Sequence, residues 1–230
     1  MTLICGIDEA RRGPIIGPMV MCGAFMEEKE MPKLAALDPK DSKLLTPEQR
    51  ESLYEKLIKV LKNYKVIVIE PGEIDRAVHG HDGLNLNKLE VLHQAAILNE
   101  FNPGKAIIDC PSNNIKSYRQ QLMELLKNKK VDLVLEHKAE RYHLVAAASI
   151  IAKVVGDSEI EKIKKKIGID FGSGYMSDQK TAEFLKKHYE THSGIFRKSW
   201  APYKDIMGKK SQKNLSEFSS FLKEEKRFEK

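Results

Sequence analysis

The chain has 230 residues, is 41% hydrophobic and 31% charged, and carries a formal net charge of +6. That length and balance suit one soluble globular domain with a full core, alone or with a tail, and the charge permits a polyanionic partner. Three cysteines, Cys5, Cys22 and Cys110, form no Cys-x-x-Cys pair, which excludes a disulfide framework and a zinc knuckle and implies a reducing, cytoplasmic setting. Asp8 and Glu9 come too early for a signal peptide, and the longest uncharged stretch, Gly13 to Met26, is too short to span a membrane. A monomer without membrane association is expected.

In chain order, Leu3 to Cys5 opens a strand and Val20 to Phe25 reads as its partner. Glu27 to Lys43, broken by Pro32 and Pro39, reads as a connection. Thr46-Pro47-Glu48-Gln49 is a helix start with Thr46 as N-cap, Pro47 at the first position and Gln49 closing a capping box. The helix runs to about Asn63. Val66 to Ile69 is β-branched and reads as a buried strand. Ile74 to Val78 is a short helix, followed by a loop through Gly80, and Leu86 to Phe101 is an amphipathic helix. Lys105 to Asp109 is a strand ending in a carboxylate, Ile115 to Leu126 a helix, and Val131 to Leu135 a fifth strand. Leu144 to Val155 is apolar apart from Lys153 and must be a helix buried on most sides. Polar helix continues to Lys166. A glycine-rich loop holds Tyr175, a helix spans Asp178 to about His192, and a last helical piece runs from Trp200 to Met207.

This order predicts an α/β fold: a mixed five-stranded sheet flanked by helices, antiparallel early and parallel later, with a helical C-terminal extension. Residues 1–208 form the domain. Residues 209–230 form a charged tail with seven Lys/Arg against four Glu.

The acidic residues fall at element ends: Asp8 and Glu9 after the first strand, Asp109 after a middle strand, Glu140 before the buried helix. Adjacent strand residues face opposite ways, so Asp8 and Glu9 share one site only if the backbone turns there. Converging carboxylates repel unless a cation neutralises them, and an oxygen-only donor set suits Mg²⁺ or Mn²⁺. Two such ions can activate water and stabilise the leaving oxygen of a phosphodiester. The basic loop Arg11-Arg12-Gly13 would hold a phosphate backbone, and Tyr175 could stack on a sugar or base. Set against this, an acidic pair beside glycine, taken alone, is more often a charged surface turn, and a metal-dependent phosphatase on an α/β sheet uses similar groups.

Gly6-Ile7-Asp8-Glu9-Ala10-x-Arg12-Gly13-Pro14, with Gly17-Pro18 after it, resembles the N-terminal signature of type 2 ribonuclease H, in its archaeal form. The resemblance extends through Asp41-Ser42-Lys43, Ile108-Asp109, His137-Lys138-Ala139, Ala147 to Lys153 and Gly172-Ser173-Gly174-Tyr175. It implies an RNase H-like fold and a Mn²⁺- or Mg²⁺-dependent endonuclease. Such an enzyme cuts RNA in RNA/DNA hybrids and on the 5′ side of a ribonucleotide embedded in duplex DNA, leaving 3′-hydroxyl and 5′-phosphate ends. By position, Asp8, Glu9, Asp109 and Glu140 would be the catalytic, metal-binding carboxylates. Arg11, Arg12, Gly13, Lys43 and Tyr175 would contact substrate, with Arg12-Gly13 at the ribose 2′-OH.

This chain departs from the family pattern at Arg11, where the family has Gly, at Glu140, where it has Asp, and at Met176, where it has Pro. Arg11 replaces a residue free to adopt left-handed backbone, and Glu140 is one methylene too long for the same metal placement. Both suggest an alternative: a degenerate relative that binds hybrids and cleaves weakly. Asp157 is a stand-in candidate for the fourth carboxylate. In the tail, Gln212-x-x-Leu215-x-x-Phe218 resembles the peptide that docks on the replication sliding clamp, without its second aromatic.

Overall fold

A computed structural model describes residues 2–39, 42, 45–80 and 83–208. Lys43, the loop pair His81-Asp82 and the tail with Gln212, Leu215 and Phe218 lie outside the described residues.

Five strands form one mixed sheet: β1 (Leu3–Ala10), β2 (Met19–Glu27), β3 (Asn63–Ile69), β4 (Lys105–Asp109) and β5 (Asp132–Glu136), in spatial order β3-β2-β1-β4-β5. The pairs β1/β2 and β2/β3 are antiparallel, whereas β1/β4 and β4/β5 are parallel. The predicted strands and their two pairing modes are all present. The connection after β2 differs from its expected irregular form. It holds a short helix, α1 (Met31–Ala35), because Pro32 falls in the first turn, where its missing N–H costs nothing.

The sheet is covered on both faces. The helices α2 (Pro47–Val60) and α6 (His143–Ile167) pack on one face, with Ile4, Ala10, Val20 and Met26 buried beneath the Leu144–Ala152 run. On the other, α4 (Leu86–Phe101) and α5 (Ile115–Leu125) cover Cys5, Ile7, Phe25 and Ile108. The helix α3 (Pro71–His79) is longer than its sequence pattern suggests, since Pro71 starts it and Gly80 in left-handed conformation ends it. α2 begins with the expected capping box: Gln49 N–H donates to Thr46 Oγ1 at 3.3 Å and Thr46 N–H to Gln49 Oε1 at 2.9 Å. The C-terminal part holds α7 (Gln179–His188) and a helical stretch over 201–208, around a small core of Ile15, Ile16, Ile160, Phe171, Phe184 and Phe196.

The central helix α6 lies unusually close to β1. A Cβ placed on Gly6 would meet the backbone of Leu144 and Val145 at 2.5–2.6 Å. Glycine at 6 and the fully buried Ala146-Ala147-Ala148 on the helix let the two backbones approach. The contact sets the height of the helix above the acidic end of the strand. We expect Gly6→Ala to push the helix off the sheet and cost about 3 kcal/mol, a fall in Tm of about 10 °C for a chain of this size. Gly194→Ala, at a position with open surroundings, should leave the melting curve unchanged.

Candidate active site

Strand register builds the acidic centre. In the parallel pair β1/β4, Ile7 lies opposite Ile108, and both face the α4/α5 layer. The next residue of each strand, Asp8 and Asp109, therefore faces the α6 layer at the same level. Asp109 Oδ1 accepts the Ala139 N–H at 3.1 Å, which anchors the turn after β5 to the end of β4. Lys138 in left-handed conformation (φ 57°) starts that turn, and Glu140 sits in it. Carboxylate oxygens of Asp8, Asp109 and Glu140 all lie within 4.8 Å of one another. The longer arm of Glu140 thus does not take it out of the group.

The backbone turn expected at Asp8-Glu9 is absent. β1 continues to Ala10, so Glu9 projects to the opposite face. There it nears Glu90, which is fully buried and paired to Arg12 Nε at 2.6 Å. Glu9 Oε2 is buried and has no hydrogen-bond partner among the described residues.

Burial followed by the neighbouring Asp109 charge pushes the Asp8 carboxyl up from 3.8 to about 8, against hydrogen bonds from Ser149 and the Glu9 N–H. Burial and the charge of Glu90 push Glu9 well above the usual carboxylate range. These groups hold protons more tightly than solvated acids because burial disfavours their charged forms and neighbouring carboxylates add repulsion. An all-oxygen set of crowded, half-desolvated carboxylates is a donor set that fits a hard divalent cation.

Past β1, the chain turns at Arg11 with φ 60°, the left-handed conformation that glycine would take without strain. The arginine side chain is buried and well held. Nη2 donates to the Ser173 carbonyl at 2.7 Å, Nη1 lies 3.4 Å from Asp157, and the guanidinium sits 5.5 Å from the centroid of Tyr175. Its stem occupies the space beside Gly156, where a Cβ would lie 2.8 Å from Arg11 Cδ. Burial lowers its proton affinity and Asp157 restores part of it. Asp157, the stand-in candidate for a metal ligand, also binds Lys153 Nζ at 2.6 Å and lies 3.7 Å from Arg50. It is the hub of a cationic cluster, apart from the carboxylate group. Arg12 points the other way, to Glu90 and Asn87, and Gly13 lies beside Tyr175, where a Cβ would sit 3.9 Å from its Cε1. The structure thus brings Arg11, Gly13 and Tyr175 together at the end of β1.

One participant carried no sequence signal. Arg197 is fully buried, and its guanidinium donates to the carbonyls of Arg11, Arg12 and Gly17. Its position in a Phe-Arg-Lys-Ser stretch reads as solvated, and only the fold shows it turned inward.

A family model described as Ribonuclease HII matches residues 5–203. The chain belongs to the ribonuclease HII family. It is 41% identical over 224 residues to the ribonuclease HII of Pyrococcus furiosus, covering 94% of this chain and 97% of that one. The ribonuclease HII of Methanococcus maripaludis is 45% identical over 213 residues, covering 89% and 87%. Among solved structures, the ribonuclease H2 of Pyrococcus horikoshii superposes with a TM-score of 0.80 at 39% identity, covering 90% and 98%. The PCNA:RNase HII complex of Archaeoglobus fulgidus gives 0.74 at 37% identity, covering 85% and 92%. As a ribonuclease HII, the chain is a hydrolase with the mixed sheet of that fold.

The carboxylate crowding has a measurable sign. Folded Asp8 keeps a proton that the unfolded chain has released, so in excess chelator stability should fall as pH rises from about 5 to about 8. Asp8→Asn should flatten that slope and melt higher than the parent at pH 8 without metal, while gaining less from added Mn²⁺. Parent stability that is flat or rising over this range would contradict the crowding.

Proposed function

We propose that this ribonuclease HII hydrolyses RNA in RNA/DNA hybrids and cuts 5′ of single ribonucleotides embedded in duplex DNA, using Mg²⁺ or Mn²⁺. The observation that carries the reading is the convergence of Asp8, Asp109 and Glu140 within 4.8 Å, at the end of the strand that leads into the Arg12-Gly13 loop. Asp8, Asp109 and Glu140 would hold the cation, and Glu9 lies on the opposite face of the same strand, beside Glu90 and Arg12. When bound, divalent ions in such a site activate water and stabilise the departing 3′-oxygen. Gly13 is exposed and would offer backbone to the ribose, and Tyr175, half-buried beside it, would offer its ring to the next sugar. Arg11, engaged with Ser173 and Asp157, shapes this pocket from within, while Lys43 is assigned to a substrate phosphate by its position in Asp41-Ser42-Lys43.

The weak-cleavage alternative rested on Arg11 and Glu140. Glu140 lies in the carboxylate group, and Arg11 has a prepared place beside Gly156; both favour a working site. The tail motif Gln212, Leu215 and Phe218 supports a second assignment, docking on a sliding clamp. The archaeal relative solved as a PCNA:RNase HII complex agrees with it.

The test is single-turnover cleavage of a duplex carrying one ribonucleotide. The parent should nick it 5′ of that residue and leave an all-DNA duplex intact. Asp109→Asn should slow the nick about 1,000-fold, since several kcal/mol of charge stabilisation are lost. Glu140→Asp should not speed it; a marked gain would revive the weak-cleavage reading. A chain ending at Gly208 should cut as before and lose clamp binding.

A further inference from the structure

The segment 195–200 takes up the carbonyls of the loop that follows β1. Arg197 donates to Arg11 O at 2.7 Å, Arg12 O at 2.6 Å and Gly17 O at 3.1 Å. Its own N–H donates to Ile15 O at 2.9 Å. Trp200 Nε1 donates to Gly13 O at 3.2 Å, and the Arg197 guanidinium sits 5.1 Å from the centroid of the Trp200 ring. The segment is fixed in turn from α3: Asp75 accepts the N–H groups of Lys198 and Ser199, at 2.9 and 2.8 Å, and the Ser199 hydroxyl at 2.6 Å.

In a trans peptide the N–H points opposite to the C=O of the same unit. Fixing Arg11 O therefore aims the Arg12 N–H away from Arg197, and fixing Arg12 O aims the Gly13 N–H likewise. The loop's later donors are spent: Ile15 and Ile16 N–H on Gly174 O, and Gly17 N–H on Ile195 O. Pro14 has none. Among the described residues, the N–H groups of Arg12 and Gly13 have no backbone or side-chain acceptor, and Gly13 is exposed.

Arg197 is also a costly way to hold a loop. It is fully buried, no carboxylate among the described residues hydrogen-bonds to it, and burial followed by the Arg11 charge lowers its proton affinity. Three carbonyls and an aromatic face satisfy it. A planar fork can hold several diverging carbonyls at once, which a lysine ammonium cannot match in geometry.

We propose that Arg197 is the positioning residue for ribose recognition: by clamping the carbonyls of Arg11 and Arg12 it presents the N–H groups of Arg12 and Gly13 to the 2′-hydroxyl of the substrate. Trp200 completes the clamp at Gly13, and Asp75 holds it in place. Arg197 touches no substrate. Its effect is on the choice between ribose and deoxyribose, leaving general affinity for duplex and metal binding at the carboxylates unaltered. The inference rests on the proposed preference for embedded ribonucleotides.

The experiment measures Kd in Ca²⁺ for two duplexes of one sequence, one with a single ribonucleotide and one all-deoxy, with the full chain. The parent should bind the ribonucleotide duplex more tightly. Arg197→Lys should lower that ratio about tenfold, the effect of one to two misaligned hydrogen bonds, with the all-deoxy Kd unchanged. Trp200→Phe keeps an aromatic ring and deletes one donor, so it should lower the ratio less and in the same direction. It carries the test alone if Arg197→Lys does not fold. A discriminating parent whose folded variants keep the full ratio, or lose affinity for both duplexes equally, overturns the role of Arg197. A parent with no preference overturns the ribonucleotide reading itself, and this inference with it.

Discussion

Asp8 and Asp109 are like charges held side by side in a half-dry site, and strand pairing holds them there. Parallel pairing of β1 with β4 places Ile7 opposite Ile108, so the acids that follow must share a face. Neither can move apart without breaking the central ladder of the sheet. Burial, and after it the charge of Asp109, raises the proton affinity of Asp8. Packing around this pair is tuned to it. Gly6 lets α6 press onto β1, which brings Ser149 to the Asp8 carboxylate, and the turn after β5 hangs from Asp109 through Ala139 and delivers Glu140. In the metal-free chain a proton on Asp8 relieves this crowding, and under the proposed function a divalent cation would take that place.

The loop after β1 solves a different problem. Arg11 stands in a conformation that costs a non-glycine residue about 1 kcal/mol. The guanidinium, buried at a further cost, is met by an anionic partner, a carbonyl and a ring, and its stem fits the space that Gly156 leaves. Where the family pattern has glycine, this chain has a matched set of residues from α6 and the Tyr175 loop. The departure therefore reads as adaptation, with the turn rigidified by a side chain that reaches 146 and 162 positions along the chain.

The strands, the capping box of α2 and the buried helix α6 were legible because each depends on local pattern: β-branched runs, a Thr-Pro-Glu-Gln start, alanines without charge. The acidic residues stood out in the sequence because each falls near an element boundary: Asp109 closes β4, Asp8 lies two residues before the end of β1, and Glu140 sits in the turn before α6. The facing of Glu9 was not legible, since it depends on β1 running on to Ala10, while Gly13 and Pro14 just beyond are compatible with an earlier turn. Arg197 and Asp75 were invisible for a deeper reason. Their partners are backbone groups far away in sequence, Arg197 on the loop after β1 and Asp75 on the segment after Arg197, and no spacing rule records them. The place of Glu140 beside Asp8 and Asp109 depends on the turn that Lys138 opens in left-handed conformation, which no local pattern records.

The most direct test of the central claim is an anomalous-scattering map from crystals soaked in Mn²⁺. The account predicts a peak within coordination distance of Asp8, Asp109 and Glu140, absent in Asp109→Asn crystals soaked alike. A peak confined to the Glu9–Glu90 side of the sheet, or Mn²⁺ bound equally by the Asn variant, would contradict it.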